Sequence, residues 1–465
     1  MLKSLLLLGC SWAVLLISII VDTVQRKLKF VNYEKKPVLT CFLEAVFTIP
    51  KRLRLGYYSK KTNDILVAVE LAMKTTKLTD MGGKDGGKTM VKRYQVVRAI
   101  GIEKSGARYT PFGYIVALEV LKKRMETRLK FVDYLKRNPM ITQISMKSPV
   151  FVIGFPRTGT TFLHELLGLH PQVRMHYSWE QMEPVPRTKS EKKSDLTADR
   201  LSRYSSNKMK FNTLTMLAGN SIQSIHRIGY DEPEECTTPC AIELPWGVLE
   251  LPLNVYAAKD VFALGAGETF DFYKAFLQMM TYQSEDRSSG DFTWMLKCPF
   301  HLPYLEELHA TFPDATVVWT HRDPVECIAS ACSLYETLLI TVFETDSVDR
   351  AALGRAVCEY SILALEKALQ TIKKLGHEFK ILHIKYQDTV KSPKEVCLKV
   401  MSSANLDFSA KYVSRIDDYL EKNRRERLQK QKDASKRLHE YSLNDYGLSV
   451  DEVRSQFAKY VAQYC

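Results

Sequence analysis

The sequence predicts an α/β fold in which helices flank a parallel β-sheet. From Pro149 onward, apolar segments of strand length alternate with segments of helical periodicity, which is typical of a parallel sheet covered on both faces. A glycine-bearing turn joins the first of these strands directly to the first helix. The chain has 465 residues, of which 45% are hydrophobic, and this composition allows a large core.

The first strand, turn and helix lie within Pro149–His164, which reads PVFVIGFPRTGTTFLH. We predict a strand over Phe151–Gly154 and a helix over Thr160–Leu169. Backbone N–H groups of such a turn, together with the positive end of the helix dipole, form a cradle for a phosphate. The spacing is P-loop-like, but Thr160 stands where a nucleoside triphosphatase has its lysine, which indicates a different phosphate ligand.

The remaining elements repeat this alternation to the end of the sheet. Because the strands are parallel, the loops that follow them are expected to converge at one edge, where ligands bind. We predict further strands over Thr293–Leu296, Thr316–Thr320 and Lys380–Lys385, and helices over Pro303–Thr311, Val325–Tyr335, Ala351–Leu375 and Pro393–Ser403.

The sequence of the N-terminal third predicts a membrane anchor and a basic helical region ahead of the α/β domain. Residues 1–25 contain the apolar stretch Ser4–Val21, which is long enough to span a bilayer and is interpreted as an uncleaved anchor, with a cleaved signal peptide as the alternative. Basic residues that follow it place the body in the cytosol by the positive-inside rule. Residues 26–148 form a basic helical region with an amphipathic helix over Tyr114–Leu135, and residues 149–465 form the α/β domain.

A second glycine-rich segment, Gly82–Thr89, reads GGKDGGKT and matches the Walker A pattern letter for letter. A working phosphate loop follows a buried strand, whereas the preceding residues Lys74–Met81 are polar and rich in threonine. We therefore interpret this segment as a flexible loop rather than a nucleotide site.

Charge and cysteine content exclude two classes of function. The net charge of +13 suits an anionic ligand or membrane face, but its basic stretches mix both signs and lack interleaved aromatics, which argues against nucleic-acid binding. The ten cysteines lack the paired spacing of a zinc site, so no metal is predicted.

The second candidate anion site is His321–Pro324 at the end of the strand Thr316–Thr320. It places the guanidinium of Arg322 at a strand end and Ser330 in the helix that follows. An arginine fork donates two parallel hydrogen bonds to a phosphate, so the two side chains are suited to clamp one. The alternative is a surface ion pair between Arg322 and a neighbouring carboxylate.

Taken together, P-R-T-G-T-T over Pro156–Thr161 and the later R-D-P with its serine resemble the sulfotransferases that use 3′-phosphoadenosine 5′-phosphosulfate (PAPS). The resemblance is to the branch with arginine in the first loop, which includes tyrosylprotein and many bacterial-type sulfotransferases. It extends from about Pro149 to the C-terminus. Further blocks that agree with this branch are Ser178–Glu180, Asp231–Glu235, Trp294–His301, Phe312–Ala315 and Tyr441–Leu448.

The resemblance implies a role for each matching residue. Arg157 would neutralise charge on the bridging oxygen as the sulfuryl group leaves, and Lys297 would point at the transferring group. The first loop would wrap the 5′-phosphate and the second would hold the 3′-phosphate, without a metal. The implied cofactor-binding residues are Arg157, Thr158, Gly159, Thr160, Thr161, Arg322 and Ser330.

Glu180 is the predicted general base for the acceptor, because it follows the first helix much as the catalytic glutamate does in the tyrosylprotein branch. Glu234 and Glu235 are rivals, and the alternative for Asp231–Glu235 is capping of a helix after Pro233. The histidines His164, His176 and His301 and the tryptophans Trp179 and Trp246 are expected mainly in the core.

The function these features predict is transfer of a sulfuryl group from PAPS to a hydroxyl or amine of a carbohydrate, protein tyrosine, sterol or other small molecule. The resemblance favours a single-pass protein of the Golgi or endoplasmic reticulum with its body in the lumen, whereas the positive-inside rule favours the cytosol, so both orientations stay open. Two alternatives remain: a P-loop small-molecule kinase, and an inactive membrane-bound scaffold that binds nucleotide.

Overall fold

The structure is a computed structural model that describes residues 64–218, 229–247, 249–284, 292–432 and 442–465. The predicted anchor at Ser4–Val21 lies outside these ranges. Within them, no helix combines the length and the apolar character needed to cross a membrane.

A five-stranded sheet forms the centre of the fold, and all of its paired strands are parallel. The strand order is β2-β3-β1-β4-β5, so β1 lies in the middle with β3 and β4 on either side. The carboxyl ends of these three strands are therefore neighbours, as predicted. The strands are β1 Val150–Gly154, β2 Val173–Arg174, β3 Thr293–Lys297, β4 Thr316–His321 and β5 Ile381–Lys385.

Helices cover both faces of this sheet, and three α-helices precede its first strand in the described chain. Those before β3 are α1 Asp64–Thr76, α2 Lys88–Ser105, α3 Pro111–Arg137, α4 Thr160–Gly168, α5 Ser178–Met182, α6 Lys193–Ala218, α7 Thr237–Cys240, α8 Leu251–Tyr256, α9 Ala258–Ala263 and α10 Thr269–Tyr282. Those after β3 are α11 Leu305–Thr311, α12 Pro324–Ile340, α13 Arg350–Leu375, α14 Tyr386–Lys391, α15 Pro393–Ser403, α16 Ala410–Lys432, α17 Val450–Gln456 and α18 Ala458–Tyr464.

The central strand shows why the sheet is buried on both faces. Phe151 and Ile153 belong to the larger apolar cluster, which includes side chains of α10, α12 and α13. Val150 and Val152 belong to a second cluster on the opposite face, with side chains of α4, α15 and α16. Successive strand residues point to opposite faces, so a strand with both faces covered must be apolar throughout.

The predicted strands agree with the structure to within one or two residues, and the predicted helix over Pro393–Ser403 agrees at both ends. Two predicted helices of the α/β domain differ. The helix predicted over Val325–Tyr335 is α12, which continues through further apolar residues to Ile340. The segment predicted as Pro303–Thr311 is a 3-10 helix over Pro299–Tyr304 followed by α11, so Pro303 lies inside the 3-10 helix and the α-helix begins after it.

The described part of the basic helical region packs on the sheet domain. Val97 of α2 and Phe131 and Tyr134 of α3 are buried in the same apolar cluster as the sheet. Gly101 of α2 lies so close to α8 that an added Cβ would approach Leu253 to 2.8 Å. The helical layer and the sheet therefore share one core along this contact.

The Walker-like segment Gly82–Thr89 lies between α1 and α2, and no strand precedes it in the described chain. Its N–H groups are bonded to carboxylates: Asp85 accepts from the N–H groups of Gly87 and Thr89 at 2.9 and 2.7 Å, and Glu268 accepts from that of Lys84 at 3.0 Å. The segment thus caps the start of α2 with negatively charged groups.

Candidate active site

A cavity of about 580 Å³ opens at the carboxyl edge of the sheet, where the predicted loops converge. The residues that follow β1, β3, β4 and β5 all contribute to its wall. Lining residues that the sequence analysis considered for the site are Arg157, Gly159, Thr160, Thr161, Glu234, Glu235, Trp246, Arg322 and Ser330, and Tyr386 lines the cavity beside them.

The first loop forms the cradle that its sequence predicts. Gly159 precedes α4 in a left-handed conformation with φ 86°, and no side chain caps the helix there. The N-terminus of α4 therefore presents backbone N–H groups and a positive dipole end to the cavity. An added Cβ at Gly159 would lie 2.6 Å from Cδ2 of Tyr386, so the loop requires glycine for both conformation and space.

Hydrogen bonds join the first loop to the second. Nε of Arg157 donates to Oγ of Ser330 at 2.9 Å, and Nη1 of Arg322 donates to the backbone oxygen of Arg157 at 3.1 Å. The residues predicted for the 5′ and 3′ ends of one ligand therefore form a single connected wall. Arg157 adopts a positive φ of 76°, a conformation that non-glycine residues rarely adopt.

Arg322 is held from two further sides. Its guanidinium lies 4.2 Å from the ring centroid of Tyr386, and its Nε donates to Oε2 of Glu326 at 2.7 Å. The ion pair predicted as the alternative is thus present, yet Arg322 also lines the cavity. The two interpretations of this arginine are compatible, since the guanidinium has further donors.

The three threonines of the first loop have different positions. Thr160 and Thr161 line the cavity, whereas Thr158 is fully buried and is not among the lining residues. Oγ1 of Thr158 donates to the backbone oxygen of Phe155 at 2.8 Å and lies 2.7 Å from Oγ1 of Thr320. Thr158 therefore ties the first loop to β4.

Lys297 and Glu235 form a buried ion pair beside the cavity, with Nζ and Oε1 separated by 2.6 Å. Lys297 ends β3 and is 2% exposed, while Glu235 lines the cavity. Burial alone would lower the pKa of Lys297, but Glu235 and Glu234 outweigh it and raise that pKa. The ammonium is therefore charged at neutral pH.

Glu180 occupies a different environment from the one expected of a base in contact with substrate. It is 1% exposed and accepts hydrogen bonds from Arg174 at 3.1 Å, Arg200 at 2.8 Å and the backbone N–H of Tyr177 at 3.1 Å. Burial would raise its pKa, but the two arginines prevail and lower it. Glu180 is not among the residues that line the cavity.

The histidines near the site are buried and neutral. Desolvation lowers the pKa of His164 and of His301 to about 3, and that of His176 to about 4. Nε2 of His164 lies 3.0 Å from the backbone oxygen of Met295, and Nε2 of His176 lies 3.1 Å from Oη of Tyr273. These contacts agree with the expected core positions.

Two further expectations from the sequence have different outcomes. Trp179 packs against Tyr204 with ring centroids 5.3 Å apart, and Trp246 is buried in the larger apolar cluster, so both tryptophans are core residues as expected; Trp246 also lines the cavity. Capping of a helix by Asp231–Glu235 is wrong, because α7 begins after Cys236 and no side chain caps it.

Across the described ranges, no group of three or more His, Cys, Asp or Glu side chains is arranged to hold a metal ion.

Sequence reasoning did not assign several residues of the cavity wall. Leu334 and Leu338 follow Ser330 on α12 at intervals of four residues, a helical spacing that the sequence displays. Arg427 of α16 also lines the cavity, but it belongs to a run of charged residues in which nothing distinguishes it. The helical spacing could therefore have identified the two leucines as cavity residues, whereas the charged run could not have identified Arg427.

Comparisons with known proteins agree with this geometry. A family model described as the sulfotransferase family matches residues 149–410, which is more than half of the chain. No curated protein matches the chain significantly. Among solved structures, sulfotransferase STF9 from Mycobacterium avium aligns with TM-score 0.69 and 23% identity over 88% of this chain and 98% of its own.

Sulfotransferase STF1 from Mycobacterium tuberculosis aligns with TM-score 0.66 and 23% identity over 84% of this chain and 98% of its own. At this identity the likeness concerns the fold, and the fold agrees with the family model. The chain therefore belongs to the sulfotransferase family.

Proposed function

We propose that this chain transfers a sulfuryl group from PAPS to a hydroxyl or amine acceptor. The observation that carries the proposal is the hydrogen-bonded link between the two anion-binding elements, from Arg322 through Arg157 to Ser330. PAPS carries anionic groups at both the 5′ and 3′ positions of one nucleoside. A wall with two linked anion sites in one cavity is suited to such a donor.

The residues fit this donor position by position. The N-terminus of α4 with Gly159, Thr160 and Thr161 suits the 5′ end, since backbone N–H groups and hydroxyls line the cavity there. Arg322 and Ser330 suit the 3′-phosphate. Thr158 is proposed to support the loop through its bonds to Phe155 and Thr320, because its hydroxyl is buried behind the cavity wall.

PAPS supplies the sulfuryl group, and the chain supplies charges arranged in advance around it. Arg157 lies between the two anion sites, where a cation stabilises negative charge that develops on the leaving group. Lys297 provides a second fixed cation just behind the wall at Glu235. No nucleophilic side chain is required, since in-line transfer depends on positioning and electrostatics.

For the general base, the geometry favours Glu235 over Glu180. Glu235 lines the cavity, while the carboxylate of Glu180 is enclosed by Arg174, Arg200 and the N–H of Tyr177. A base must come within hydrogen-bond reach of the acceptor's proton. We expect Glu235→Gln to reduce kcat more than Glu180→Gln does, with the stoichiometry of adenosine 3′,5′-bisphosphate binding used to measure the folded fraction of each variant. A larger loss in Glu180→Gln would restore Glu180 as the base.

The kinase alternative is disfavoured by Thr160, which stands where a P-loop kinase needs its phosphate-contacting lysine. The scaffold alternative is disfavoured by the convergence of Arg157, Arg322 and the Lys297–Glu235 pair at one cavity. The proposed placement in a Golgi or endoplasmic reticulum membrane is supported by the apolar stretch Ser4–Val21 and the family resemblance alone.

Calorimetric titration tests the proposal. Adenosine 3′,5′-bisphosphate is expected to bind more tightly than ATP with magnesium. Arg322→Ala is expected to abolish this preference for the bisphosphate. Radiolabelled PAPS then reports transfer to an added acceptor. Preference for ATP with magnesium would favour the kinase, and no nucleotide binding by folded protein would refute the donor site.

A further inference from the structure

The acceptor side of the cavity has a polar end and an apolar end. The polar side chains come from two short stretches, Ser178–Gln181 and Glu234–Thr238. Nε2 of Gln181 donates to the backbone oxygen of Glu235 at 2.9 Å, so these stretches are adjacent. The hydrogen-bonding groups of the acceptor side are therefore gathered around Glu235 and Lys297.

Apolar side chains form another part of the same wall, the apolar end. Its side chains are large, and all are buried or half-buried in the structure. Trp246 and Phe300 adjoin each other with ring centroids 6.2 Å apart. The residues that form it include Met182, Trp246, Leu251, Phe300, Leu334 and Leu338.

One face of α12 shows how the two ends are arranged relative to the donor. Arg322, just before the helix, and then Glu326, Ser330, Leu334 and Leu338 line the cavity at intervals of four residues. At a rise of about 1.5 Å per residue, Leu338 lies roughly 12 Å beyond Ser330 along the axis. The wall thus changes from charged at the donor end to apolar at the far end.

Charge at the acceptor side opposes an anionic acceptor. The carboxylates of Glu234 and Glu235 line the cavity, and the Lys297 cation behind them is already paired with Glu235. Among the described residues, the cations that line the cavity are Arg157 and Arg322 of the donor end and Arg427 of α16. An acidic group beside Leu334 and Leu338 would lose its hydration, and no described cation lines the cavity on that stretch of α12.

From this arrangement we infer that the acceptor is a neutral alcohol or phenol whose hydroxyl lies at Glu235 and whose apolar skeleton extends toward Leu334 and Leu338. This inference rests on the proposed sulfuryl transfer. In the transfer, the acceptor O–H bond breaks and its proton passes to a carboxylate at the polar end. The oxygen forms a bond to sulfur as the bond from sulfur to the phosphate oxygen breaks, and adenosine 3′,5′-bisphosphate leaves.

Binding of paired probes to protein saturated with adenosine 3′,5′-bisphosphate tests the inference without turnover. 4-Hexylphenol is the apolar probe, and 6-(4-hydroxyphenyl)hexanoate is its match with a carboxylate at the far end. We expect the phenol to bind at least tenfold more tightly by calorimetry. Methyl β-glucoside and a tyrosine-containing peptide are the carbohydrate and protein probes, and tighter binding of either, or of the acid, would overturn the inference.

Leu338→Gln tests the position of the apolar end, because it keeps a similar side-chain size and introduces a polar amide. We expect the Kd of 4-hexylphenol to rise about tenfold while the Kd of adenosine 3′,5′-bisphosphate is unchanged. The matched control is Leu398→Gln on α15, where the leucine is 45% exposed and outside the cavity wall, and it should change neither value.

The outcomes separate the inference from the proposed function. Failure of the folded wild-type protein to bind adenosine 3′,5′-bisphosphate would refute the donor site itself. Normal bisphosphate binding, combined with equal affinity for the two matched probes or an unaffected Leu338→Gln variant, would refute only the apolar acceptor.

Discussion

Two glycine loops in this chain begin helices with nearly the same backbone. Gly87 precedes α2 with φ 82° and ψ 9°, and Gly159 precedes α4 with φ 86° and ψ 12°. The Walker-like segment Gly82–Thr89 matches the Walker A pattern fully and the P-R-T-G-T-T loop lacks its lysine, yet of the two only the P-R-T-G-T-T loop lines the cavity. The sequence pattern and the local backbone therefore do not decide which of the two loops lines the cavity.

The difference lies in what surrounds each loop. At the Walker-like segment, carboxylates of Asp80, Asp85 and Glu268 accept hydrogen bonds from the backbone N–H groups of Gly82, Gly87 and Lys84. The P-R-T-G-T-T loop instead follows a buried strand and is bonded to Arg322. An anion would have to displace carboxylates at the Walker-like segment, whereas the guanidinium groups of Arg157 and Arg322 would attract it at the P-R-T-G-T-T loop. The comparison teaches that neighbours from distant parts of the chain decide the function of a glycine loop.

The largest expected effect is at Arg157. Arg157→Ala should reduce kcat by roughly 10²–10³-fold, because it removes a fixed charge from the developing transition state. Turnover with PAPS and a phenol acceptor measures this loss. The matched change in the Walker-like segment Gly82–Thr89 is Lys88→Ala, which removes the Walker lysine and should leave kcat unchanged. A comparable loss of kcat in Lys88→Ala would contradict the comparison of the two loops.

Arg322→Ala should act mainly on donor affinity. Loss of a charge-assisted hydrogen bond to phosphate should raise the Kd of adenosine 3′,5′-bisphosphate by about 10- to 100-fold. Calorimetry provides the measurement. Arg137→Ala is the control, since Arg137 also pairs with a carboxylate four residues away but lies on the surface of α3. Equal effects of the two substitutions would mean that Arg322 has only a surface role.

The glycines themselves give a matched pair. Gly87→Ala and Gly159→Ala should each destabilise the fold by about 1–2 kcal/mol, because both place a Cβ in a left-handed conformation. Only Gly159→Ala should also weaken bisphosphate binding, by about tenfold, since its Cβ would displace Tyr386 from the donor wall. Thermal unfolding and calorimetry on both variants separate stability from binding. Weakened binding in Gly87→Ala alone would reverse the assignment of the loops.

The smallest effect is expected at Glu326, whose carboxylate forms an ion pair with the guanidinium of Arg322. Glu326→Gln should increase bisphosphate affinity about threefold, since it removes a negative charge close to the 3′-phosphate position. Calorimetry at low and high salt should show the gain shrinking with ionic strength. A loss of affinity would mean that Glu326 is needed to orient Arg322.

Much of the fold was predictable because the strands are apolar throughout and short, and because Gly and Pro mark their ends. The strand over Phe151–Gly154 and the helix over Pro393–Ser403 illustrate this. The helix α6 and the short β2 were not predicted. The α6 sequence is largely polar and charged, so it carries little apolar periodicity, and two residues of β2 are too few to show a pattern.

The candidate site was predictable where one local segment carries the chemistry, as in Arg157, Gly159 and Thr160 of the first loop. It was less predictable where the partner lies far along the chain. Glu235 was left as one of several acids until the structure joined it to Lys297, 62 residues later. Thr158 was predicted from its hydroxyl as a donor contact, whereas the structure directs that hydroxyl to Thr320.

By itself, the sequence determined that this protein has a parallel α/β core, an anion cradle after the first strand and an arginine after another, because these features depend on spacing within short segments. Only the tertiary structure decided that Gly82–Thr89 faces carboxylates, that Arg174 and Arg200 enclose Glu180 and that apolar side chains continue the donor wall. The reason is physical: charge pairing and desolvation depend on which distant side chains share a volume, and local spacing does not specify that.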